Sequence, residues 1–116
     1  MTRHAYGLET AFEVRKATGS GSGRTVNFNL EYDALPDMGH ACGHNLIATA
    51  GLTGFLTLAY VMEQFGIDGT VQCLGTPAEE AGGGKIALLE KGAFKGVDVS
   101  LMVYALYIYV PISYPN

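Results

Sequence analysis

Apolar and polar positions alternate through residues 11–17, with Phe12 and Val14 on one side, and this predicts a strand. A glycine and serine run over residues 18–23 follows as a flexible turn, so a hairpin with the next segment is expected. Residues 24–32 form the clearest strand, since Val26, Phe28, Leu30 and Tyr32 share one face. Residues 33–44 read as a loop, broken by Pro36 and Gly39. Asn45 is a suitable N-cap for a helix over residues 46–64, with Gly66 as its stop. An apolar strand at 70–74 ends before Pro77. A short helix at 82–91 closes at Gly92, and a second apolar run at 97–103 is continuous enough to suggest a central strand.

The resulting order is strand, strand, helix, strand, helix, strand. This is an α/β arrangement: a partial, mainly parallel sheet with flanking helices, led by a hairpin. In such sheets, sites form beyond the carboxyl ends of the strands. Three loops are expected to meet there: the one after residue 32, the one after residue 74 and the one that opens at Tyr104.

Composition narrows the classes. The chain has 116 residues, room for one domain at most, and 48% hydrophobic content suits a packed core. A net charge of −4 with no clustered basic face argues against nucleic acid as a partner. Only Cys42 and Cys73 are available, too few for a disulfide scaffold, which favours a reducing, cytoplasmic setting. The N-terminus lacks the apolar stretch of a signal peptide. Residues 46–62 carry no charge, but the stretch is short for a bilayer and rich in Thr and Gly, so it reads as a buried helix and not a membrane span.

The chemistry sits in the predicted loops. His40, Cys42 and His44 lie within five residues of one another. A thiolate and an imidazole two residues apart can grip one ion, or two neighbouring ones. Taken alone, the pair is equally a buried cysteine and a surface histidine. Glu79 and Glu80 follow Pro77, and a helix start would turn both carboxylates inward. One could ligate a metal while the other holds a proton of the attacking water. Asp33, two residues after Glu31, is placed to orient a ligand or to be one. His40 stays open between ligand, proton donor and exposed side chain. Cys73 lies inside an apolar strand and reads as a core thiol. Gly82, Gly83 and Gly84 lack the spacing and the Lys-Ser/Thr ending of a phosphate loop.

Four motifs, in this order, resemble the aminoacylase/carboxypeptidase G metallopeptidase family, in its amidohydrolase branch. They are Glu31-Tyr-Asp-Ala-Leu-Pro36, Gly39-His-Ala-Cys-Gly-His-Asn-Leu-Ile-Ala48, Gly75-Thr-Pro-Ala-Glu-Glu80 and Gly82-Gly83-Gly84-Lys85. The Asn45–Ala48 continuation is most similar to cytosolic dipeptidases that act on β-alanyl-lysine and other dipeptides with basic C-terminal residues. The resemblance spans nearly all of residues 5–103. It implies a zinc-peptidase-like catalytic domain with one or two Zn2+ or Mn2+ ions. Its substrates would be small dipeptides or N-acyl amino acids. It places Cys42, His44 and Glu80 on metal-ligand positions, Glu79 on the general acid/base position and Asp33 on the acidic position that supports the metal.

The chain departs from that pattern in three ways. Tyr104 stands where the family carries a histidine ligand, and a neutral phenol is a poor substitute. The family's later catalytic segments, its late histidine ligand and the dimerisation domain of its homodimer have no counterpart here. The family's N-terminal helix has no counterpart ahead of Met1. On this reading residues 1–103 are a partial catalytic domain, and 104–116 are an atypical tail with the composition of a prematurely ended exon. The alternative to a metal-dependent dipeptidase or amidohydrolase is then a catalytically inactive remnant that keeps residual metal binding or an interaction role.

Overall fold

The computed structural model describes residues 1–104. Its elements are β1 (Thr2–Arg3), β2 (Phe12–Thr18), β3 (Thr25–Glu31), α1 (His44–Gln64), β4 (Gly69–Thr76), α2 (Glu79–Gly82), α3 (Gly84–Glu90) and β5 (Val99–Leu101). The tail beyond Tyr104 lies outside the described residues.

The strands form one sheet in the order β1-β2-β4-β3-β5. β3 pairs in parallel with both β4 and β5, while β2 runs antiparallel to β4 and β1 antiparallel to β2. The mixed, mostly parallel α/β sheet is therefore present, with α1 as the crossover between β3 and β4.

The expected leading hairpin is not. β2 pairs with β4 along its whole length, from Phe12 opposite Gly75 to Thr18 opposite Gly69, so β4 lies between β2 and β3. The reason is local. The connection after Thr18 is tied to the start of β4 by Asp68, whose carboxylate accepts hydrogen bonds from Ser20 Oγ (2.9 Å), Ser22 Oγ (3.0 Å) and the Gly21 amide (2.8 Å). The chain thus crosses over the end of β4 and does not turn back on itself.

Residues 26, 28 and 30 face α1, and residues 27, 29 and 31 face the other side of the sheet. On the α1 side, Leu30, Phe55, Met62, Val71 and Cys73 make one core cluster. Gly54 permits that approach, because a Cβ there would sit 2.7 Å from the Phe28 ring. On the opposite side Ala5, Ala11, Leu74, Leu88 and Ala93 form a second cluster beneath α3. Full burial of Leu74 and Leu88 stabilises the fold by about 1.5–3 kcal/mol each.

Two expectations about burial change. α1 is long and apolar enough to cross a membrane by length and composition alone. In this fold one face, including Ile47, Phe55 and Met62, is buried on the sheet, whereas Leu52, Leu56 and Tyr60 are exposed. β5 is three residues long, exposed throughout and at the margin of the sheet, not a central strand. An apolar run shows that a strand suits burial. Burial itself depends on what is laid over the strand, and α1 and α3 lie over β3 and β4.

Candidate metal centre

Glu31, the last residue of β3, is level with Thr76, the last residue of β4. Two loops therefore leave the sheet at the same height. One leads through Asp33 and Cys42 to His44, which opens α1 one residue before the predicted cap. The other leads through Pro77 to Glu79 and Glu80 in the first turn of α2. Ala78, directly before the pair, adopts a left-handed conformation with φ 58°. For a residue with a Cβ this costs roughly 1–2 kcal/mol, so the backbone is strained where it turns the two carboxylates toward His44. The helix predicted over 82–91 is α3, and Gly83 (φ 59°), in the left-handed region, separates it from the short α2 that precedes it.

His44 is 4% exposed and is the hub of the cluster. Its Nδ1 lies 3.1 Å from Asp33 Oδ1 and 3.2 Å from the Asp33 carbonyl oxygen. Both partners are acceptors, so Nδ1 carries the proton and donates. Nε2 faces the other way, 3.3 Å from Glu31 Oε2, 3.7 Å from Glu79 Oε2 and 3.7 Å from Glu80 Oε1. A bare ring nitrogen and three carboxylate oxygens all present lone pairs. They can share one space only around a cation or a proton.

Asp33 also secures the second loop, accepting at Oδ2 from the Glu80 backbone N–H (3.2 Å). Its carbonyl faces the half-buried Cys42 thiol at 3.8 Å. Two groups of side chains have ligand atoms within 4.8 Å of one another: Cys42, His44 and Glu80, and Glu31, His44 and Glu79. Ligands about 2.0–2.3 Å from a shared tetrahedral ion fit within that spread. The donor set of the first group, one sulfur, one nitrogen and one oxygen, suits a borderline ion such as zinc.

Five of the residues singled out in the sequence, Asp33, Cys42, His44, Glu79 and Glu80, thus meet at one strand end. His40 is exposed and belongs to neither group, and Tyr104, in the third expected loop, is exposed as well. Cys73 is a core thiol as expected, and burial pushes its pKa up to about 11. Two participants went unrecognised in the sequence. Glu31 is 3% exposed and pairs with the ammonium of Lys85 from the first turn of α3. Desolvation holds Lys85 below the usual lysine range. The available signal was position: a carboxylate at the end of a strand flanked on both sides is buried and needs a partner. Beside the cluster lies a cleft of about 450 Å³, lined by Thr10, Tyr32, Asp33, Pro77 and Glu80 among others. Its volume is in the range of small-molecule sites.

Comparison with known proteins agrees with this geometry. The profile of "Peptidase family M20/M25/M40" matches residues 25–111. The chain is 47% identical over 105 residues to a Xaa-Arg dipeptidase of Mus musculus, covering 85% of this chain and 24% of the relative. It is 34% identical to a p-aminobenzoyl-glutamate hydrolase of Escherichia coli, covering 87% and 24%. Among solved structures, it superposes on a dinuclear metal-binding peptidase of Bacillus subtilis with TM-score 0.63 and 26% identity, over 80% of this chain and 29% of that one. An aminohydrolase structure from methicillin-resistant Staphylococcus aureus gives TM-score 0.69 and 29% identity, over 87% and 29%. The chain therefore spans about a quarter of the length of the curated relatives it matches.

Proposed function

Because the chain belongs to peptidase family M20/M25/M40, we propose that it carries the ligand and proton-transfer groups of a metal-dependent hydrolase of amide bonds in dipeptides or N-acyl amino acids. The observation that supports this most is the setting of His44: proton-bearing Nδ1 on Asp33, bare Nε2 among carboxylates. Cys42, His44 and Glu80 would hold the ion, zinc or manganese. Such an ion supplies Lewis acidity toward the amide carbonyl and makes water acidic enough to attack at neutral pH.

Asp33 fixes the His44 ring by two contacts to one nitrogen, and its other oxygen holds the Glu80 backbone. The ligand set is thereby preorganised by one side chain. Glu79 is the more exposed of the Glu pair and reaches the cluster without a backbone tie of this kind. It takes a proton from the attacking water and returns it to the leaving amine. The adjoining cleft has room for a dipeptide side chain. The name of the Mus musculus relative favours dipeptides ending in arginine. Both cysteines are free, in keeping with a cytoplasmic enzyme. A non-catalytic remnant is less well supported, because Glu79 reaches the cluster at a placement that binding through Cys42, His44 and Glu80 does not require.

The test is an assay of the natively expressed protein that carries this segment. Dipeptides ending in arginine or lysine, and an N-acyl amino acid, should be cleaved only with zinc or manganese present. Full turnover after exhaustive chelation would sink the proposal.

A further inference from the structure

His44 belongs to both candidate ligand groups, yet it offers a single bare nitrogen. An ion drawn to Cys42, His44 and Glu80 uses that lone pair. The second group is then left with the carboxylates of Glu31 and Glu79. Glu31 is buried and would be costly without a positive partner. Lys85 already supplies one: its ammonium pairs with Glu31 from the first turn of α3, and it also lies 3.9 Å from Met102 Sδ. An ammonium lodged there neutralises the carboxylate and repels a second dication.

We propose that Lys85 is a built-in counter-ion that takes the place of a second metal ion at the Glu31 side of the cluster, so that the site loads one ion and not two. This rests on the metal-binding reading above and adds a stoichiometry to it. Lys85 is thus a positioning residue. It holds Glu31 away from ligation, and it sets how many ions the carboxylates accept.

Zinc titration calorimetry and elemental analysis of the full chain test it. The wild type should bind one zinc per chain, and Lys85→Arg should also bind one, because the charge is kept. Lys85→Gln should bind two, a doubling of metal content. Adding Glu31→Gln to that variant should return it to one. Two zinc ions on the wild type would overturn the inference and leave the metal reading standing. So would a single ion on a folded Lys85→Gln variant, with folding checked by circular dichroism. Should that variant fail to fold, saturating zinc on the wild type still decides, since uptake of a second equivalent overturns the proposal. No zinc on the wild type would instead refute the metal reading itself, and the inference with it.

Discussion

The two ends of the sheet handle acidic groups in opposite ways. At the end where β4 begins, Asp68 stands alone, and its carboxylate is met by two serine hydroxyls and an amide. Neutral donors satisfy it, and it asks for nothing more. At the end where β3 and β4 finish, Glu31, Asp33, Glu79 and Glu80 surround one imidazole, with the Lys85 ammonium paired to Glu31. The first end is a structural tie. The second carries negative charge beyond what its own donors balance, and it is the end where the backbone is strained, at Ala78.

Substitutions can break this contrast. The largest effect is expected from Glu79→Gln in the natively expressed protein. It should keep its metal while turnover falls on the order of 10²–10⁴-fold, because the amide keeps the shape and loses the base. Steady-state kinetics beside elemental analysis checks this, and loss of metal in parallel with activity would make Glu79 a ligand instead. Between the two ends, Leu74→Ala should destabilise the fold by about 2–5 kcal/mol, since this side chain is fully buried under α3. Denaturant unfolding reads the loss.

Ala78→Gly should relieve the left-handed strain and stabilise the chain by roughly 1 kcal/mol. If it loosens the placement of Glu79 and Glu80, zinc affinity will fall even as stability rises. Unchanged affinity would show that the strain does not aim the pair.

The smallest effect belongs to the far end. Hydrogen bonds from Ser20 and Ser22, with a smaller one from the Gly21 amide, hold Asp68 below the usual carboxylate range. Its contribution is therefore present above the unfolded carboxylate pKa and is lost as pH falls through the lowered folded value. Asp68→Asn should flatten that part of the stability–pH curve and leave metal content untouched.

The sequence made the site more legible than the sheet. Cys42, His44, Glu79 and Glu80 carry their chemistry in their identities, and both loops follow strands whose ends fix where they go. Pairing was harder to read. Residues 18–23 have the composition of a hairpin turn, but Asp68, fifty residues after Thr18, redirects them across β4. That is a tertiary contact which no local pattern encodes. The bare apolar side of α1 and the exposed β5 were unreadable for a related reason, since periodicity reports what a face suits and not what covers it. Glu31 was legible in principle. It lies on the polar face of β3 with Asn27 and Asn29, and its position as the last residue of a strand flanked on both sides was the clue.

The central claim is that the strand-end cluster is a metal site built on Cys42 and His44. The most direct test is the zinc content of the purified wild type beside a Cys42→Ser/His44→Ala double variant, after dialysis against a weak chelator. Zinc near stoichiometric in the wild type and at background in the variant is the predicted result, and equal zinc in the two would contradict the account.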